Sequence, residues 1–263
     1  MAIPWRPYSV VDRPVHLLQI TDLHLQENPT DLMRGENVEA RFCMVLDQLM
    51  SLSADALLLT GDLSHHAPAA YERLTSYLDE LSYPSYWIPG NHDLPDEMRR
   101  YAGKGLGQKA LRFQNWQVLM LDSTSQPDGR GGGTLSAEEL DFLHVELDAT
   151  DSEHVLLVMH HNPVSVHSAW QDKIGLGQAA RFWDVVARYP QVRAVIFGHV
   201  HQAWQLSRGD IQLFSSPATA PQFKKGCERS ETEQDKTLAL PAYTAYTLHP
   251  DGKVDAVVNR VAS

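Results

Sequence analysis

Five short apolar runs in this chain, LLQI, LLLT, YWIP, LLVM and AVIF, each give way to a block of Asp, His, Asn or Gly. The blocks are Asp22-Leu23-His24, Gly61-Asp62, Gly90-Asn91-His92-Asp93, His160-His161 and Gly198-His199-Val200-His201. Short apolar runs bounded by polar residues read as buried strands. Helical stripes lie between the first three: 38–50 has apolar residues at 38, 42, 45, 46 and 49, and 70–81 reads as a second helix. The order β-α-β-α-β predicts a parallel sheet, with ligands bound at the C-terminal ends of its strands. If the other two runs are also parallel, all five polar blocks meet at one edge.

The alternation continues. Residues 117–123, 154–159 and 193–198 read as strands, and 136–148 and 178–189 as helices, the first opened by a Ser136/Glu139 capping box. Residues 211–216 and 243–261 look antiparallel, the latter a hairpin turning at Pro250-Asp251-Gly252. The pattern predicts an α/β fold with a mixed sheet or two sheets and helices outside. A single domain over 1–263 is expected, with a tail at 1–14, a flexible loop at 127–133 and a mobile polar excursion at 224–239.

Composition narrows the partners. A net charge of −11 argues against a nucleic-acid surface. No apolar run is long enough for a membrane span, and MAIPWRPYSVVDRP has no apolar signal core, so a cytoplasmic protein is expected. Two cysteines, Cys43 and Cys227, make no disulfide framework. Thirteen histidines against two cysteines is the unusual ratio, and histidine is the commonest nitrogen ligand for metals.

Carboxylates, an amide and several imidazoles gathered at one edge are costly to desolvate without compensation, which metal ions supply. Two ions suit such mixed oxygen and nitrogen donors. Asp22-x-His24 can bind one ion, because residues i and i+2 of an extended segment share a side. His199-x-His201 has the same spacing, and its two rings can serve one ion or two.

In this order the five blocks resemble the calcineurin-like metallophosphoesterase superfamily, over residues 16–201 at least. The resemblance implies a four-layer α/β/β/α sandwich of two mixed sheets flanked by helices, and two metal ions, iron or manganese. It implies Asp22, His24 and His201 on one ion, Asn91, His160 and His199 on the other, and Asp62 bridging. His92 is then off the metals and faces the substrate, donating a hydrogen bond to the phosphoryl group and a proton to the leaving oxygen.

LLQITDLHL, GNHD, GHVHQ and SSPATAPQFKK (215–225) resemble the bacterial class III 3′,5′-cyclic-AMP phosphodiesterases more closely. That implies hydrolysis of cyclic AMP to 5′-AMP by a metal-bridging hydroxide in a monomer or homodimer. Asn91, His92, His161, Gln222 and Phe223 would surround the substrate. Another phosphodiester, such as a 2′,3′-cyclic nucleotide or cyclic GMP, or a phosphomonoester, is the alternative. A non-catalytic scaffold is disfavoured because His92 and the ligands are intact. The chain departs from the family in two places. His65 and His66 stand where many relatives carry an acidic residue, and 226–239 lacks the expected Phe-rich character.

Overall fold

The computed structural model describes residues 13–103 and 105–262. The tail expected over 1–14 therefore lies outside the described residues, apart from Arg13 and Pro14. The chain runs through β1 (Val15–Ile20), β2 (Leu32–Met33), β3 (Glu36–Asn37), α1 (Val38–Met50), β4 (Ala56–Thr60), α2 (Pro68–Leu78) and β5 (Ser85–Ile88). It continues with α3 (Pro95–Tyr101), β6 (Ala110–Phe113), β7 (Trp116–Met120), α4 (Ala137–Ala149), β8 (His154–Met159), α5 (Ala179–Val186) and β9 (Val192–Phe197). The last strands are β10 (Trp204–Arg208), β11 (Ile211–Ser215), β12 (Ala242–Leu248) and β13 (Val254–Arg260).

Two mixed sheets result, ordered β13-β12-β1-β4-β5 and β10-β11-β9-β8-β7-β6. β1, β4 and β5 are parallel in the first sheet, and β7, β8, β9 and β11 in the second. The side-chain period of two then builds the layers. In β4, Ala56 and Leu58 point between the sheets, toward Leu156, Val158 and Ile196, while Leu57 and Leu59 meet Phe42, Val45 and Leu49 of α1 and Tyr71 and Leu74 of α2. The outer face of the second sheet is covered by Leu140, Leu143 and Leu147 of α4 and Phe182, Trp183 and Val186 of α5. This is the expected α/β/β/α sandwich.

Several boundaries move. The second helix starts at Pro68, whose fixed φ suits a first helical turn, and stops at Leu78, short of residue 81. The strand expected over 117–123 is Trp116–Met120, and the helix over 178–189 is Ala179–Val186. The capping box is half made. Ser136 Oγ accepts from the Glu139 N–H, but the Glu139 carboxylate accepts from Asp122 N–H and Lys109. The sequence reading has no counterpart for α3, β6, β10 or the β2–β3 hairpin. The 224–239 segment folds back beside Phe223, through Lys224 N–H to Glu231 O, Glu233 N–H to Gln222 O and Gly226 N–H to Ser168 Oγ.

One buried amide ties the two sheets together beside the polar edge. Gln19 of β1 donates from Nε2 to Thr60 Oγ1 (2.7 Å) and to Phe197 O of the second sheet (3.0 Å), and accepts from Tyr246 Oη at 2.7 Å. Removing it leaves a buried hydroxyl and carbonyl without partners. Gln19→Met, similar in volume, is expected to destabilise the protein by about 2 kcal/mol in a denaturant titration with unchanged slope.

Candidate metal centre

All five polar blocks leave the C-terminal ends of parallel strands, three from the first sheet and two from the second. Backbone hydrogen bonds lace the loops together. Asp22 N–H donates to Gly61 O, His24 N–H to Asp62 O and His66 N–H to His92 O beside the first sheet, and Gly198 N–H to His160 O beside the second, all between 2.9 and 3.0 Å. Asp22, His24, Asp62, His199 and His201 sit on left-handed backbone, with φ from 49° to 69°. Asp and His tolerate that region better than most residues, but each such residue carries strain that the lacing must hold. Two glycines are required by close approach. A Cβ on Gly90 would lie 2.3 Å from Asp62 Oδ1, and one on Gly198 would lie 2.1 Å from Thr21 Oγ1, where the ends of the two sheets touch.

The side chains form two groups around Asp62. On one side His24 Nε2 lies 3.2 Å from His201 Nε2 and 3.6 Å from Asp62 Oδ2, and His201 Nε2 lies 3.2 Å from Asp22 Oδ1. On the other, His160 Nε2 is 3.4 Å from Asp62 Oδ2 and 3.2 Å from Asn91 Oδ1, with the His199 ring 5.0 Å from that of His160. The second nitrogens are fixed by carbonyls: His160 Nδ1 donates to Thr60 O (2.8 Å) and His201 Nδ1 to Pro221 O (2.7 Å). In the neutral ring each Nε2 is thereby left as a lone pair aimed into the cluster, the arrangement by which outer hydrogen bonds orient metal-ligating histidines. Asp22 Oδ1 and His199 Nε2 are buried without hydrogen-bond partners among the described residues, although unpaired buried polar atoms are costly. Lone pairs and orphaned acceptors pointing at a common space fit cations. Groups drawn from Asp22, His24, Asp62, His160, His161, His199 and His201 have their ligand atoms within 4.8 Å of one another.

Protonation follows the same field. Burial holds the His24 and His199 rings well below the usual histidine range, so they are neutral at pH 7. Burial also works against charge on His160, but the Asp62 and Asp22 carboxylates outweigh it and push His160 up to about 9. Without an ion, His160 thus carries the proton that balances Asp62.

Above the cluster opens a cavity of about 550 Å³. Asp62, Asn91, His92, His199, His201 and Phe223 line it, with the 129–132 loop, Trp170 and Arg34. Asp22 and His160 lie beneath, fully buried. Two residues assigned to the substrate do not line it. Gln222 is buried with its amide spent on the backbone: Oε1 accepts from Ala218 N–H, and Nε2 donates to the carbonyls of Ala218, Ala220 and Leu240. It fastens the loop whose Pro221 carbonyl fixes His201. His161 is fully buried, with Nδ1 on Ser123 Oγ and Nε2 donating to Gly131 O. Phe223 is in the wall, but its ring lies between His201 (4.5 Å) and the Arg34 guanidinium (5.0 Å).

The sequence reading gave Asp93 no role. Its buried carboxylate accepts from Leu63, Ser64 and Gly90 N–H groups and from Tyr71 Oη, so it joins the Asp62 loop to the GNHD turn. A carboxylate at the end of a turn was the available signal. His65 and His66 also join the site. His65 Nδ1 meets His24 Nδ1 at 3.2 Å, and its ring stacks on His92.

With this geometry the likeness to known proteins is specific. Residues 15–203 match the family described as calcineurin-like phosphoesterase. A 3′,5′-cyclic-nucleotide phosphodiesterase from Nostoc sp. is 35% identical over 253 residues, covering 94% of this chain and 93% of that protein. The 3′,5′-cyclic adenosine monophosphate phosphodiesterase CpdA of Escherichia coli K12 is 32% identical, over 94% of this chain and 90% of that protein. A dimetal phosphatase from Danio rerio shares the fold, with a TM-score of 0.64 at 14% identity over 95% of this chain and all of its own. The chain belongs to the calcineurin-like phosphoesterase family.

Proposed function

We propose that this chain is a metal-dependent phosphodiesterase that opens cyclic AMP to 5′-AMP, acting as a single domain in the cytoplasm. The observation that carries this is Asp62, one carboxylate facing His24 on one side and His160 on the other at 3.6 and 3.4 Å. That is the position of a shared ligand in a two-metal site. The nucleotide comes from the relatives, which are named for cyclic-nucleotide hydrolysis and align over nearly the whole chain.

In this reading Asp22, His24 and His201 hold one ion, Asn91, His160 and His199 the other, and Asp62 both. Iron and manganese suit the mixed imidazole and carboxylate donors. Two bound divalent ions would acidify a water and offset the two carboxylates, leaving a local charge of about +2 for an anionic substrate. Asn91 and His92 present N–H groups from the GNHD turn to the phosphoryl oxygens, where charge grows in the transition state. The walls at Met33, Trp170 and Phe223 give the base an apolar surface. The substrate is a free small molecule, with no nucleic-acid or membrane partner. No described helix is long and apolar enough to cross a membrane.

Side-by-side turnover of cyclic AMP, cyclic GMP, 2′,3′-cyclic AMP and a phosphomonoester, with Mn²⁺ or Fe²⁺, is expected to give the highest kcat/KM for cyclic AMP. A higher value for any other substrate overturns the choice of nucleotide.

Three further outcomes are expected. Asp62→Ala should lose both ions in metal analysis, because one carboxylate serves both. Metal uptake at pH 7 should release about one proton, read by calorimetry in buffers of different ionisation enthalpy, because His160 is protonated below about 9. Affinity should therefore rise with pH toward 9 and level off above it. His92→Ala should keep both ions and lower kcat by ~10²–10³-fold, the typical loss for one transition-state donor.

A further inference from the structure

The β2–β3 hairpin turns at Arg34-Gly35, with φ 52° and 86°. Two positive φ angles are the pattern that Asn-Gly usually fills, because a larger side chain is strained there. An arginine at this tip is therefore held at a cost. Its guanidinium lies 5.0 Å over the Phe223 ring, and Nη2 donates to Ser230 Oγ at 3.0 Å. The 224–239 excursion delivers that hydroxyl, since Thr232 pairs antiparallel with Phe223 and turns the chain back. Arg34 is exposed and lines the cavity above the metal cluster.

Charge and packing both set Arg34 apart. Arg130 also lines the cavity, but Asp128 pairs with it at 3.2 Å. Among the described residues no carboxylate pairs with Arg34, and Asp62 is the one carboxylate in the cavity lining. Phe223 is only 9% exposed, with His201 against its ring at 4.5 Å and Trp170 edge-on at 4.9 Å. It has little free face of its own, and Arg34 covers the outer side. His201, Phe223 and Arg34 thus form a column that rises from the cluster to the cavity mouth, with the far face of the guanidinium open.

We propose that Arg34 is a specificity-determining residue: the nucleobase stacks on its guanidinium, which Phe223 backs. The proposal rests on the phosphodiesterase reading above. The phosphoryl group is the one anionic group of a cyclic mononucleotide and belongs on the metal centre, so the part that reaches the mouth is the base. A guanidinium is flat and weakly hydrated and stacks on π-faces, whereas an ammonium is a compact, strongly hydrated charge. The N–H donors of Arg34 lie in its own plane and do not reach the edge of a base stacked above it. The stack therefore favours a base over no base, without telling adenine from guanine. Ser230 holds the plane in place.

The test is titration calorimetry of Mn²⁺-loaded protein with 5′-AMP, 5′-GMP and ribose 5-phosphate, with metal content measured for each variant. The wild type is expected to bind both nucleotides more tightly than ribose 5-phosphate. Arg34→Met keeps the stem and removes the plane. It should raise the Kd of 5′-AMP and of 5′-GMP by ~10-fold, within the range for one stacked base, and leave ribose 5-phosphate binding and metal content unchanged. Arg34→Lys keeps the charge and should lose nearly as much. Ser230→Ala should weaken both nucleotides by less. The tip is exposed, and Met or Lys carries no more backbone strain there than Arg, so the variants fold. Equal wild-type affinity for 5′-AMP and ribose 5-phosphate, an unchanged 5′-AMP Kd in Arg34→Met, an equal loss for ribose 5-phosphate, a loss confined to 5′-GMP, or full recovery in Arg34→Lys would overturn the proposal. Binding is read without turnover, so a failure to hydrolyse cyclic AMP counts against the phosphodiesterase reading and leaves this test standing.

Discussion

The site depends on left-handed backbone at five aspartate and histidine residues. L-residues avoid that region at a cost of roughly 1–2 kcal/mol each. Asp22, His24, Asp62, His199 and His201 all occupy it, and all come from loops that leave strands of a rigid sandwich. Hydrogen bonds from loop to loop hold the strain: Asp22 to Gly61, His24 to Asp62, and Gly198 to His160. Each short loop turns sharply at once after its strand, so its side chain is aimed back over the sheet ends instead of into solvent. Gly90 and Gly198 are part of the same constraint, since any Cβ there would push the loops apart.

That rigidity sets the electrostatics. The cluster gathers two carboxylates, Asp22 and Asp62, with at least five buried histidines. Carbonyls at Thr60 and Pro221 take one N–H from each of two rings and so choose which nitrogen faces inward. The result is a set of acceptors with too few donors, visible in the orphaned Asp22 Oδ1 and His199 Nε2. A proton on His160 relieves part of the imbalance. Cations relieve it more fully, and they explain how a chain of net charge −11 can attract an anion.

Around this centre a second set of buried polar residues holds the loops in place. Asp93 clamps the Asp62 loop through the backbone N–H groups of Leu63 and Ser64, Gln222 fastens the loop beneath His201, and Gln19 fixes the separation of the sheets at the site. None of these side chains reaches the cavity. Their effect is on the position of those that do, and small displacements matter where ligand atoms lie within a few ångströms of each other.

The sequence by itself determined the sheet strands that carry the site, because short apolar runs ending in polar blocks have one economical arrangement. β1, β4, β5, β8 and β9 lie within a residue or two of their expected bounds, and the hairpin of β12 and β13 turns at Pro250–Gly252 as expected. The family motifs likewise brought Asp22, His24, Asp62, Asn91, His160, His199 and His201 to one place. Elements without periodicity, such as α3 and the short β2–β3 hairpin, were not legible, since so few residues carry no pattern. Only the tertiary structure decided what the second layer does. Gln222 and His161 are polar residues beside a site, and their spacing does not show whether an amide or ring faces the cavity or is spent on backbone groups. Nor does it show that His66 reaches His92. Those outcomes depend on which groups the folded loops bring against each side chain, and a linear pattern records only the periodicity of its own segment.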